Sequence, residues 1–198
     1  MIGRQMLWAG VDEVGRGPLV GAVVAASVIL PVNHDIRGLK DSKRLTEKRR
    51  EELASEIERS ALSFAVAEAS AEEIDALNIH QATLLAMSRA VSALSMIPWR
   101  VLIDGRHVPA SLAHQGIAIV KGDGRVDAVK AASILAKVHR DHQMALLDQV
   151  HPEFGFAQHK GYPTSQHLEA LSRYGLIDEH RRTFGPCRIL THEGCASI

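Results

Sequence analysis

Three aspartates stand at or just past the ends of short apolar runs. Asp12, doubled by Glu13, follows residues 7–11, Asp104 follows Val101-Leu102-Ile103, and Asp123 comes shortly after residues 117–120. Short apolar runs bounded by turn residues read as buried strands. If the first, fourth and fifth strands lie parallel and adjacent, their C-terminal ends share one edge, where ligands of open α/β sheets gather. Four carboxylates crowded there repel one another unless cations sit among them. Hard oxygen donors suit Mg²⁺ or Mn²⁺ better than zinc. Two such ions about 4 Å apart can position a water, stabilise a five-coordinate phosphorus and hold the leaving oxygen. The chemistry implied is phosphoryl transfer or hydrolysis. An isolated strand-ending aspartate, as in Asp104-Gly105, is ordinary turn chemistry; three in one chain, one of them doubled, argue for a site.

The elements that must position these acids follow an α/β order. After the first strand, residues 19–30 read as a second strand, and Leu62, Phe64 and Val66 alternate with Ser63 and Ala65 as a third. Thr46 caps a helix through Leu53 and Ile57, and Ser70 with Glu73 and Asn78 with Gln81 have capping-box spacing. Leu84, Met87, Val91 and Leu94 mark one helical face, and Pro98 closes that segment. Residues 117–120 read as a short buried strand. Asp127 is placed to cap a long helix that leaves at Pro152, and a last clear helix spans about Ser165 to Tyr174, with Leu168 and Leu171 inward and Gly175 as its cap. The expected organisation is a catalytic domain over 1–150 and a small helical C-terminal extension over 151–198.

At 198 residues, with 23 Lys+Arg and 23 Asp+Glu, the chain is long enough to hide roughly 70% of its unfolded surface and carries no wholesale basic coat. A local basic patch can still hide in a neutral total, and residues 37–50, with Arg37, Lys40, Lys43, Arg44, Lys48, Arg49 and Arg50, are its candidate. A solvated helix face is the bland reading of Lys48 to Arg50. The two cysteines, Cys187 and Cys195, suit a reducing cytoplasm, and with His192 they lack the spacing and fourth ligand of a zinc site. No apolar run approaches a membrane span. The eleven histidines show no metal-ligand spacing and are expected mostly on surfaces and loops, with His139 on a solvent-side helix face.

Taken in order, Asp12-Glu13-Val14-Gly15-Arg16-Gly17-Pro18-Leu19, Asp41-Ser42-Lys43, Ile103-Asp104-Gly105, Lys121-Gly122-Asp123, the run from Ala131 to Val138 and His159-Lys160-Gly161-Tyr162-Pro163 resemble the ribonuclease HII family, the type 2 ribonucleases H. The resemblance runs from about Gly10 to Pro186. Val20 and Ala22 stand where many members carry Ala and Pro, away from catalytic positions. It implies an RNase H-like fold, a mixed five-stranded sheet flanked by helices. It also implies endonucleolytic cleavage of RNA paired with DNA, or on the 5′ side of ribonucleotides embedded in duplex DNA, leaving 3′-hydroxyl and 5′-phosphate ends. Asp12, Glu13, Asp104 and Asp123 match the family's metal-binding carboxylates; Asp127 and Asp141 lie near the fourth, but Asp123 alone sits near the end of an expected strand.

The same resemblance makes Gly15-Arg16-Gly17 the element that senses the ribose. Two glycines let a backbone come close to a sugar and offer peptide groups to the 2′-hydroxyl that separates RNA from DNA. A plain strand-connecting turn is the alternative from these three residues alone. Tyr162 matches the tyrosine that packs on the following deoxyribose, and Lys43 and Lys121 are expected phosphate contacts. A monomer with no obligate protein partner is expected. Another nuclease or a transposase on the same fold would share the acids without needing the turn, and a silent hybrid-binding module would lack one of them. A P-loop NTPase is set aside because GRGPLVG has no following lysine and Ser/Thr.

Overall fold

The computed structural model describes residues 6–40, 42 and 45–193. Five strands, β1 (Trp8–Val14), β2 (Val23–Ile29), β3 (Ser63–Ala69), β4 (Arg100–Asp104) and β5 (Gly116–Ile119), form one sheet in the order β3-β2-β1-β4-β5. β1 runs antiparallel to β2 and parallel to β4; β2 and β3 are antiparallel, and β4 and β5 parallel. The helices are α1 (Glu47–Ser60), α2 (Ala71–Leu77), α3 (Ile79–Ser92), α4 (Asp127–Val150), α5 (Phe156–His159), α6 (Ser165–Tyr174) and α7 (Gly185–Glu193). This is the mixed five-stranded sheet flanked by helices that the motifs imply.

Strand alternation sorts the sheet into two faces. Ala9, Val11, Val101 and Ile103 pack with Ala86, Met87 and Ala90 of α3, while Val24, Ala26 and Val28 pack with Leu53 and Ile57 of α1 and Ile134 and Leu135 of α4. β1 and β2 at the centre carry near-continuous apolar residues because both faces are covered. A third cluster joins Leu19 and Val20 to Phe154, Phe156, Leu171 and Cys187. Residues 151–193 are thereby tied to the loop after β1, through Leu19 N–H to Gly161, Gly21 N–H to Glu179 and Arg181 N–H to Leu19, each at 2.8 Å.

Several local expectations are corrected. β2 begins only at Val23, because Gly21 takes a positive φ of 78° and Val20 pairs with His180 instead. β5 is an edge strand and not a buried one, with Ile117 exposed in it and Val120 exposed just past its end. Asp127 is the first residue of α4 rather than its cap; Val126 stands at the cap, and the Asp127 carboxylate accepts from Lys130 at 2.7 Å. Leu168 faces solvent, while His167, Ala170 and Leu171 turn inward. In β3 the inward residues are Ser63 and Ala69, with Phe64 exposed on the sheet's edge. The Ser70–Glu73 capping box is present, and the Asn78 side chain accepts from the N–H groups of His80 and Gln81. Among the described residues no helix is long and apolar enough to cross a membrane.

Gly10 sets how closely α4 approaches the sheet. A β-carbon there would fall on the backbone of Ala128 and Val129, so the first turn of α4 lies against bare β1 backbone. Backbone atoms at a helix–strand contact cannot step aside as a side chain can. Gly10→Ala is therefore expected to cost at least about 3 kcal/mol in urea unfolding; a loss below about 1 kcal/mol would mean that α4 is not held there.

Candidate active site

The parallel register of β1 and β4 pairs Val11 with Ile103, which sets Asp12 level with Asp104 at the strands' C-terminal ends. Glu13 follows, and ligand oxygens of Asp12, Glu13 and Asp104 all lie within 4.8 Å of one another. Asp12, only 5% exposed, accepts the N–H of Glu13 at 2.8 Å, and Ser133 of α4 lies close enough to favour its charged form. Ser133 is in turn bonded to Ser42 at 2.8 Å. Asp104 Oδ1 accepts the N–H of Gly122 at 2.7 Å.

Burial first, and then the charge of Glu13, raise Asp12 well above the usual carboxylate range. Glu13 is also raised by burial, against the pull of Arg16 at 3.4 Å and with a further push from Asp104. Carboxylates held in this way have unmet affinity for positive charge. Three oxygens from short side chains, part-buried but open to water, fit a hard divalent cation.

Asp123 stands on a 3-10 turn, Gly122–Gly124, just past β5, and is not one of the three acids gathered within 4.8 Å. It follows directly on Gly122, whose N–H binds Asp104. The two other acids near it in sequence are engaged elsewhere. Asp127 pairs with Lys130 and lies 3.6 Å from His34, and Asp141 is buried between Arg50, at 3.4 Å, and Lys137.

The Gly15-Arg16-Gly17 turn leaves the end of β1 directly, with Gly15 at φ 90°. A β-carbon on Gly17 would lie 3.2 Å from Cε1 of Tyr162, so the half-exposed tyrosine ring lies against this turn. Lys121 is exposed on the left-handed residue before Gly122, and Lys43 lies outside the described residues. The basic segment is less available than its composition suggests. Arg50 is buried, donating to the Ser42 carbonyl at 2.8 Å and to Asp141, and Arg49 donates to the Arg37 carbonyl and Glu52.

Sequence reasoning missed what lies behind the turn. Arg140 and Arg181 are almost wholly buried, and neither forms an ion pair among the described residues. Their guanidinium groups donate to backbone carbonyls of the segment from Gly15 to Ala22. Burial, with Arg140 alongside, pulls Arg181 down to about 9, still charged at neutral pH.

Three of the histidines, a residue type expected mostly on surfaces and loops, are buried as well. The Ile177 N–H donates to His180 Nδ1 at 3.0 Å, which leaves the ring proton on Nε2 to donate to His167 Nε2 at 3.1 Å. His167 then donates from Nδ1 to the Tyr162 carbonyl at 3.0 Å. His159 accepts the Gly161 N–H at 3.2 Å and donates to the Phe154 carbonyl at 2.8 Å. These neutral rings clamp the backbone that carries Tyr162.

A family model described as ribonuclease HII matches residues 9–187. The chain belongs to the ribonuclease HII family. It is 55% identical over 187 residues to ribonuclease HII of Acinetobacter baylyi, covering 94% of this chain and 99% of that one. The crystal structure of ribonuclease H2 from Pyrococcus horikoshii superposes with a TM-score of 0.81 at 30% identity, covering 95% of this chain and 98% of that one. Bst-RNase HIII shares the fold, with a TM-score of 0.75 at 18% identity over 95% of this chain and 70% of that one. Like its family, the chain is a metal-dependent ribonuclease H with endonuclease activity.

Two outcomes follow from the electrostatics. Without divalent metal, Asp104→Asn removes one of three mutually repelling charges and keeps an acceptor for Gly122. It is expected to raise the melting temperature by about 2–4 °C while shrinking the rise that Mn²⁺ produces in the wild type. A lower melting point in chelator, with an undiminished Mn²⁺ response, would contradict this. For the histidines, burial and His167 push His180 down to about 4, and burial lowers His167. The folded rings stay neutral where unfolded rings, near 6.5, take up protons. Their stabilisation is therefore complete above about pH 6.5 and is lost as the pH falls, for His180 down to its folded value of about 4. Imidazole ¹⁵N shifts are expected to show the His180 ring still neutral at about pH 5 with its proton on Nε2, and the His167 ring at neutral pH with its proton on Nδ1.

Proposed function

We propose that this ribonuclease H cuts the phosphodiester on the 5′ side of a ribonucleotide, in RNA–DNA hybrids and at single ribonucleotides within duplex DNA. The observation that carries the reading is covalent adjacency: a glycine-flanked turn, with an aromatic ring against it, begins two residues after a cluster of acids. The substrate has the same linear order of scissile phosphate, ribose and following deoxyribose.

Asp12, Glu13, Asp104 and Asp123 would hold Mg²⁺ or Mn²⁺; Bst-RNase HIII of the same fold is known as a complex with Mn²⁺. Two bound ions would supply an activated water and charge stabilisation for the departing oxygen. The Glu13 N–H fixes one oxygen of Asp12, and the Gly122 N–H fixes one of Asp104, so these ligands are oriented before substrate arrives. Water adds to phosphorus, the bond to the upstream 3′ oxygen breaks, and that oxygen leaves as a hydroxyl while the phosphate stays on the ribonucleotide's 5′ side. Gly15, Arg16 and Gly17 read the 2′-hydroxyl, and Tyr162 packs on the next sugar. Lys43 and Lys121 meet the phosphate backbone. Residues 1–150 are the catalytic domain, and 151–198 are an extension that brings Tyr162 to the substrate. The enzyme acts as a monomer in the cytoplasm.

Mapping the cut in a duplex with one embedded ribonucleotide tests the reading. A single product ending in a 3′-hydroxyl on DNA, with the ribonucleotide at the 5′ end of the other fragment, is expected; a cut on the 3′ side, or equal cutting of an all-DNA duplex, would refute it. Asp104→Asn is expected to lose several kcal/mol of transition-state stabilisation, roughly a thousandfold in rate, with duplex binding retained. Tyr162→Ala is expected to lose roughly 10- to 100-fold on the single-ribonucleotide duplex.

A further inference from the structure

We propose that Arg181 is a positioning residue for ribose recognition: it fixes the peptide planes of the Gly15-Arg16-Gly17 turn so that the N–H groups of Arg16 and Gly17 face the substrate. The inference rests on the proposed reading of that turn and adds the residue that sets its orientation.

A guanidinium has five N–H donors in a rigid planar fork. In Arg181 they meet five carbonyls of one loop. Nε donates to Gly21 at 2.9 Å, Nη1 to Arg16 at 3.1 Å and Pro18 at 2.7 Å, and Nη2 to Gly15 at 2.6 Å and Ala22 at 3.2 Å. Arg181 is 0% exposed, and no carboxylate pairs with it among the described residues. A buried cation without a counter-ion persists only where dipoles replace its hydration shell, and here every dipole comes from the segment that follows Glu13.

The orientation follows from peptide geometry. In a trans peptide the carbonyl and the next residue's N–H point in opposite directions. With the Gly15 carbonyl drawn onto Arg181, the Arg16 N–H points away from the interior; with the Arg16 carbonyl drawn in, so does the Gly17 N–H. Among the described residues no backbone acceptor outside the regular elements takes either group. Two outward donors on neighbouring residues suit one hydroxyl oxygen. Arg140 braces the other limb of the loop through the carbonyls of Val20, Ala22 and Lys160, and its side chain occupies the space that a Gly15 β-carbon would need. Lysine could not replace Arg181, since three donors leave at least two of its five carbonyls free to turn.

The test compares full-length wild type and Arg181→Lys on two duplexes, one with a single ribonucleotide and one with 2′-fluoro-2′-deoxyribose at that position. Arg181→Lys is expected to lose about 10- to 100-fold in kcat/KM on the ribonucleotide duplex, with little change on the fluoro duplex, so the discrimination ratio falls by the same factor. Mn²⁺ uptake by calorimetry is expected to stay within about twofold of wild type. Equal slowing on both duplexes, or an unchanged ratio, overturns the role of Arg181. Wild type that does not discriminate at all would instead overturn the reading of the turn itself. Amide exchange in the wild type needs no variant: the Arg16 and Gly17 N–H groups are expected to exchange fast in the free enzyme and to be protected by the ribonucleotide duplex in Ca²⁺, but not by all-DNA. Protection already present in the free enzyme would show the peptides facing inward and end the proposal.

Discussion

The pairing of β1 with β4 is the constraint on which the rest depends. Side chains in parallel neighbours share a level only if the register is right, and a slip of one residue would send Asp12 to the opposite face of the sheet. The register is held by burial on both faces, because Val11 and Ile103 must reach α3 while Gly10 must lie bare beneath α4. The apolar core thus has an electrostatic consequence, since it forces Asp12, Glu13 and Asp104 within 4.8 Å of one another against their own repulsion. That repulsion is stored in the fold and released when positive charge arrives.

A second charge problem sits behind the same strand. Arg140 and Arg181 are buried cations solvated by carbonyls, and those carbonyls belong to the segment running from Gly15 to Ala22. The acid cluster and the arginine-held segment are separate devices, with only Val14 between Glu13 and Gly15. One creates demand for cations at the sheet edge; the other takes a loop that glycine leaves free to turn and gives it one shape. Rigid placement of the Gly15–Gly17 turn beside the acid cluster would give the proposed sugar recognition and phosphate cleavage one shared geometry.

Much of the sheet and the gathering of Asp12, Glu13 and Asp104 were legible because the signals were local. An apolar run that stops at an acid states both a strand and what hangs from its end, and the Ser70–Glu73 box needs only a single helical turn. Asp123 was legible as a residue but not as a neighbour, because a 3-10 turn separates it from β5 and no periodicity describes such a turn. β5 looked buried because Ile117 and Val120 are apolar, but an edge position depends on strand order, which a single strand's sequence does not carry. Ser133 stood inside a run whose apolar neighbours explained the helix, and nothing local marked its hydroxyl as a partner for Ser42 beside the acids.

Arg181 and the histidines were illegible for a stronger reason. Arg181 meets Gly15 across 166 positions, and from sequence a C-terminal arginine beside Arg182 reads as solvated surface. Burial reverses its meaning, since a cation without water must take its ligands from whichever backbone is nearest. The same holds for His180, whose tautomer is set by the Ile177 N–H and passed through His167 to the carbonyl of Tyr162. In both cases residues from the end of the chain impose shape on turns that glycine would otherwise leave loose, Gly15 and Gly17 in one and Gly161 in the other. The glycines permit the close approach, and distant buried polar side chains select one conformation from those the glycines permit. Sequence motifs record the permission, and only the folded chain records the selection.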